Sequence, residues 1–410
     1  MPDDPTDGVV LANNEHGTWA WVAVRVDEAV DLTRLRGHAE LDIDERQQKV
    51  RADQQAWLAG QHTAGGLIEL RYRTTADRLE CAILGRVREP DATTAVRAAH
   101  QLRSALLTVP AHVRASEVTD SAEVSSWLNP CTTVDPTGLV EIRKRFRTAP
   151  PQRPDAGVRY YAVIPPLGAG PSTWGELWRT VVEHPHPVVF STGLLPHPDG
   201  QRIGARLHDL ATRYGRLARP GWTTSGVWSA GVRLTPDAFA AHAEALYREA
   251  ARRYCSRPFQ MRLTIASPEP LPTALVEHIS SILNTAPRDQ QPPGGTGTEN
   301  IAVRPTANEF PSALSTLSSL GLARWDTQHL RDLPEAPPPV LRLLAELVDA
   351  EEAGAVLRLP SAVQGHMPGF PVRAPDEADR AQPEQSGPTN MVQAREIHGG
   401  VHFHGAPNDP

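Results

Sequence analysis

"LIELRYR" (residues 67–73) and "LECAILGRVR" (79–88), five residues apart, decide how the fold is read. Both runs are rich in β-branched and aromatic residues and bounded by turn formers, as strands should be. Upstream, "TWAWVAVRV" (18–26) has the same character. Downstream the period changes: over 91–108, Val96, Ala99, Leu102 and Leu106 recur at helical spacing, with Pro110 just beyond. The order β, β, α defines a first unit. A second block opens with the strand "VRYYAVIPP" (158–166). A helix is expected from Thr173, because Thr173 and Glu176 have capping-box spacing ahead of Leu177 and Trp178. "HPVVFSTGL" (186–194) reads as a buried strand. A long helix follows from Pro236 to about Tyr254, with Phe239, Ala243, Leu246, Tyr247, Ala250 and Tyr254 on one face. The strand "FQMRLTIAS" (259–267), a helix over 271–283 and a last helix over 339–353 complete the pattern.

These elements predict an α+β (mixed α/β) fold: a two-lobed body with mixed sheets and packed helices. The expected limits are a flexible N-terminus (1–14), a first lobe (15–150), a second lobe (151–373), a flexible linker (374–389) and a short β-forming segment (390–405). The linker follows from "APDEADRAQPEQSGPTN" (374–390), which has no aliphatic residue larger than alanine. "PRDQQPPGGTGTEN" (287–300) is too polar and too rich in Gly and Pro to pack, so a surface loop is expected there.

Composition narrows the function. A chain of 410 residues, 40% hydrophobic, can build a proper core, and a net charge of −7 argues against wholesale electrostatic binding of nucleic acid. The acidic start "MPDDPTDGVV" lacks a basic and apolar leader, and no stretch approaches eighteen apolar residues, so a cytoplasmic protein without a membrane span is expected. Cys81, Cys131 and Cys255 are odd in number and far apart. That pattern argues against a disulfide framework or a zinc cluster and for small buried hydrophobes.

Motifs for chemistry are sparse. "PLGAGPSTWG" (166–175) and "PPGGTGTEN" (292–300) lack the lysine that a phosphate loop needs. There is no Gly-x-Ser-x-Gly elbow and no His-Glu-x-x-His. "HPH" (184–186) has two imidazoles but no third ligand nearby and reads as a loop. "IRKRFR" (142–147) alternates as a strand that would put Arg143, Arg145 and Arg147 on one solvated face. No catalytic constellation and no cofactor are therefore expected, and the chain reads as non-enzymatic.

The tail "NMVQAREIHGGVHFHG" (390–405) is the unusual segment. Val392, Ile397, Val401 and Phe403 offer too little apolar area to offset the entropy of ordering a private hairpin. Stacked copies change the balance, because every backbone amide and carbonyl gains a partner and Gln393 can form an amide ladder. Met391, Gln393, Arg395 and Ile397 would share one face, and Gly399 with Gly400 permits a bend before Val401. Docking as an added strand on the protein's own sheet is one alternative. His398, His402 and His404 would point the same way, and His402 with His404 could chelate zinc or copper; zinc usually takes a third protein ligand, so metal is the weaker reading. Stacked imidazoles would repel one another once protonated, below about pH 6.5.

Two resemblances follow from these residues. "AGAVLRLPSAVQGHMPGFPVR" (353–373) resembles the end of the N-terminal domain of HerA-type and conjugation-type ATPases, through Leu357, Arg358, Leu359, Pro360, Pro368, Gly369, Phe370 and Arg373. The resemblance extends loosely over residues 15–373, but where that family's phosphate-loop motor begins, this chain enters its linker. It implies a platform that acts with a separately encoded ATPase. "MVQAREIHGGVHFHG" (391–405) is similar to bacterial amyloid signalling sequences and to the RHIM core, with Val392, Gln393 and Ala394 at the stacking centre and Ile397, Gly399, Gly400, Val401 and Phe403 in matching order. That resemblance implies a signalling adaptor or effector whose partners are copies of itself and an NLR-type receptor carrying a matching segment, in bacterial immunity or regulated cell death.

Overall fold

The computed structural model describes residues 7–76, 78–131, 134–168, 173–222, 231–283, 300–325 and 335–380. The chain starts with a hairpin of β1 (Val10–Asn14) and β2 (Gly17–Val30), in register from Val10 opposite Trp21 to Asn14 opposite Gly17. Gly17 has φ +131, a turn conformation that favours glycine. Residues 10–14 of the stretch expected to be flexible are thus an edge strand, and Val9 is buried. Helix α1 (Ile43–Ala64) leads to the hairpin of β3 (Leu67–Thr75) and β4 (Arg78–Glu89), followed by α2 (Ala92–Leu106), β5 (Val113–Glu117) and α3 (Ser121–Leu128).

Next come β6 (Leu139–Lys144), β7 (Arg147–Ala149), β8 (Tyr161–Val163), α4 (Thr173–Val182), β9 (Val189–Pro196), α5 (Gly200–Leu217), β10 (Gly221–Trp222), β11 (Arg233–Leu234), α6 (Ala238–Arg253), β12 (Phe259–Ala266) and α7 (Thr273–Ile282). The remainder is β13 (Asn300–Val303), α8 (Phe310–Ser318), α9 (Pro339–Leu344), β14 (Leu347–Val348), α10 (Ala350–Val356) and β15 (Val372–Arg373).

One sheet organises the molecule, in the order β1-β2-β4-β3-β9-β12-β6-β13, with β5 and β15 also on β2 and β14 on β12. Every pairing between these strands is antiparallel except β15 with β2. The α+β expectation holds. The boundary drawn at 150/151 runs through this sheet, since β6 before it pairs with β12 after it.

Side chains alternate across β3. Ile68, Leu70 and Tyr72 join Trp57 and Leu58 of α1, Trp178 of α4 and Val356 of α10 in the largest core. Leu67 faces the opposite way, toward Trp127 of α3 and Leu320 after α8. A separate core lies off the sheet, where Tyr160 to Ile164 pack on α5, α6 and α9. There the hydroxyls of Tyr214 and Tyr247 both donate to the Ala162 carbonyl, at 3.0 and 2.8 Å.

Several elements depart from the sequence expectation. The helix expected over 339–353 is broken into α9, β14 and α10. Asp349 accepts from the amides of Glu351 and Glu352 and restarts the helix with a capping box, while Leu347 and Val348 pair with β12. Helix α1 was not anticipated because half of its buried positions are polar: Arg46, Gln54 and Gln61 alternate with Val50, Trp57 and Leu58. Arg46 donates to the carbonyls of His38, Leu41 and Val363. Helix α5 is masked by glycines that sequence reading takes as breakers. Gly200 and Gly204 are there because a Cβ on either would come within 2.9 Å of Cys255.

Gly369, in the Pro-Gly-Phe turn before β15, has φ +68, and a Cβ there would lie 2.6 Å from Val182 Cγ2. Gly369→Ala is expected to destabilise by roughly 1–3 kcal/mol, through backbone strain and a clash together. The check is the urea midpoint, which should fall; an unchanged midpoint would mean that the turn opens freely.

Candidate functional site

The expected self-assembly residues Val392, Gln393, Ala394, Ile397, Gly399, Gly400, Val401 and Phe403, and the histidines His398, His402 and His404, lie outside the described residues. The chain can be followed toward them as far as Arg380. Of the stretch expected to be a linker, residues 374–380 are held by charge beside β5 and β15. Arg114 lies 3.2 Å from both Asp376 and Asp379, Arg373 pairs with Asp376 at 3.0 Å, and the Arg36 amide donates to the Asp379 carbonyl. A search for aliphatic side chains does not see such pairs.

The most distinctive cavity system of the body surrounds Arg358. This residue follows α10 and lines two clefts, one of about 310 Å³ and one of about 700 Å³. The smaller cleft is walled by Gln47 and Val50 of α1, Trp174 and Arg179 of α4, and Met367. The larger is walled by Arg51, Gly168, Arg253, Asp349 and Glu351. Three elements position the arginine. Tyr72 donates to its carbonyl at 2.6 Å, Gln54 of α1 binds the neighbouring Leu359 amide at 3.1 Å, and its guanidinium carbon lies 5.8 Å from the Trp174 ring centre.

No acidic side chain among the described residues pairs with the Arg358 guanidinium. Its Nε is buried without a hydrogen-bond partner, as are Gln47 Oε1 and Trp174 Nε1 beside it. Burial, with the nearby Arg51 charge adding to it, pulls its pKa down to about 10. Of the acids that line the larger cleft, Asp349 caps α10 and pairs with Arg253 at 2.5 Å, and Glu351 lies 3.9 Å from Arg253. Sequence reading marked Arg358 only through the apolar-x-Arg-x-Pro pattern and missed Gln47, Arg51 and Trp174.

Two buried charge clusters tie the body together. In the first, Lys144 lies 2.5 Å from Glu352, Tyr254 donates to Glu352 and Lys144 donates to Tyr254 at 2.6 Å. Burial pushes the Glu352 carboxyl up and the Lys144 ammonium down, each opposed by the other's charge. All three side chains are closed to solvent, so the cluster joins β6, α6 and α10 and does not present a reactive group.

This corrects the reading of "IRKRFR" as a solvated face. Strand β6 is interior between β12 and β13, Arg143 is buried against Glu141 and Trp325, and only Arg145 of the three arginines is exposed. In the second cluster Glu69, wholly buried on β3, pairs with Arg71 and Arg262 and accepts from Ser191. The two arginines also donate to carbonyls at the ends of α3 and α8.

In the exposed turn before β9 the His186 amide donates to His184 Nδ1 at 3.2 Å, and no group of three or more metal-ligating side chains occurs among the described residues. Cys81 is buried, whereas Cys131 and Cys255 are half-buried, and all three are free thiols. No helix among the described residues is long and apolar enough to cross a membrane. Comparison with known protein families and with curated proteins finds no match to this chain.

Proposed function

We propose that this chain is a non-enzymatic cytoplasmic signalling adaptor or effector, recruited when its segment 390–405 pairs in cross-β fashion with the matching segment of an NLR-type receptor and with copies of itself. What carries the reading is the composition of that segment. Val392-Gln393-Ala394, Ile397 and the Gly399-Gly400 pair supply a stacking centre, a ladder-forming amide and a bend, and too little apolar surface for the segment to fold alone.

The test compares the full chain with the chain ending at Arg380. The full chain is expected to form large assemblies above a threshold concentration, and the shortened chain to stay unassembled with an unchanged thermal midpoint. Equal assembly by both chains would move the interaction to the body, where a platform for a separately encoded ATPase becomes the better reading. A full chain that never assembles would remove the proposal.

A further inference from the structure

We propose that the paired clefts around Arg358 bind a small organic phosphate, with the phosphate on the Arg358 guanidinium and the organic part against Val50, Trp174 and Met367. The inference is independent of the tail. It starts from a charge that the fold leaves uncompensated. A guanidinium held partly out of water needs an anion or several carbonyl acceptors, and the most deeply buried arginines of this chain have them. Arg71 and Arg262 reach Glu69 and the ends of two helices, Arg143 reaches Glu141, and Arg46 reaches three carbonyls.

Arg358 has no such set among the described residues. Its backbone is held by Tyr72, its neighbour Leu359 by Gln54, and its guanidinium is left with the face of Trp174. Side chains fixed this way around an unsatisfied donor are a binding site prepared in advance, because the ordering cost is met by folding and not by the ligand.

The surroundings select the anion. A second cation, Arg51, acts on Arg358, and both line the larger cleft. The planar Arg358 fork matches two phosphate oxygens, and the Arg51 charge at the same opening adds to the attraction, whereas Arg253 is held by Asp349. The smaller cleft adds an apolar wall and the unmet acceptor Gln47 Oε1, which suits a donor on the organic part, such as a sugar hydroxyl. The proposal is for binding alone.

The experiment follows the thermal midpoint of the full chain as ribose 5-phosphate, adenosine monophosphate or inorganic phosphate is added at constant ionic strength, with ribose and adenosine as uncharged controls. The phosphorylated compounds are expected to raise the midpoint saturably and the uncharged ones to leave it unchanged. Equal responses to inorganic phosphate and to both organic phosphates would show an anion hole without an organic subsite and overturn that half of the proposal. In Arg358→Met, which keeps the stem against Trp174, the apparent affinity should fall at least about tenfold. The unliganded variant should melt at or above the temperature of the parent, because an unpaired cation is gone. Undiminished phosphate binding by Arg358→Met, or an unliganded variant that melts several degrees lower, would overturn the proposal. The second result would assign Arg358 a purely structural role.

Discussion

Glu69→Ala is expected to lower the stability of the body by roughly 3–5 kcal/mol, the usual cost of removing one member of a buried ion pair. Glu69 is fully buried and is the shared counter-ion of Arg71 and Arg262, so the variant leaves two guanidiniums without a negative charge. Set against the roughly 5–15 kcal/mol typical of folded proteins, that loss is a large share of the whole.

Replacing the whole cluster by Glu69→Leu, Arg71→Met and Arg262→Met is not expected to restore stability, although an apolar swap often does elsewhere. The arginines also satisfy the carbonyls of Trp127, Leu128, Thr316, Leu317 and Gly321, which the triple variant strands. Urea midpoints of both variants check the argument. A single variant within about 1 kcal/mol of the parent, or a triple variant as stable as the parent, would show that the cluster is not a clamp.

The second large effect is a dependence on acid. His112 is fully buried after α2, and neither ring nitrogen has a hydrogen-bond partner among the described residues. Burial lowers its pKa to about 4, helped by the charges of His38 and Lys49 and opposed by Asp53. A histidine depressed in the folded state is protonated first in the unfolded chain. Stability is therefore complete above the ordinary imidazole value near 6.5 and is lost as pH falls toward about 4.

Each unit of that window is worth about 1.4 kcal/mol, or roughly 3 kcal/mol across it. His38, also lowered by burial, acts in the same direction. Glu69 extends the loss further down. Burial alone would raise its carboxyl, but Arg262, Arg71 and Ser191 hold it below the ordinary value, so its stabilisation disappears as pH falls past the carboxylate range. In His112→Leu the fall in stability between pH 6.5 and 4.5 should be clearly shallower than in the parent. Equal slopes would mean that the buried imidazole is not the sensor.

Strands β3 and β4 were legible because "LIELRYR" and "LECAILGRVR" carry their own period and turn formers. The burial of Glu69 and Arg71 was not. An alternating Glu-x-Arg reads as the wet side of a strand, and only β9 beside it and the ends of α3 and α8 above it turn that side inward. Helix α2, whose face is apolar, was legible, whereas α1, anchored through Arg46 and Gln54, offered no apolar stripe to find. Arg358 stood out in a short pattern, but its lack of a counter-ion depends on where α1 and α4 lie. No reading along one chain supplies those positions. The tail is the reverse case, since everything proposed for it rests on the order of its residues.

The most direct measurement of that central claim uses residues 388–410 fused to a soluble carrier at neutral pH. The account predicts thioflavin-positive fibres whose diffraction shows spacings of about 4.7 and about 10 Å, and which loosen near pH 5 as the imidazoles charge. A carrier that stays monomeric at high concentration, with or without added zinc, would contradict it.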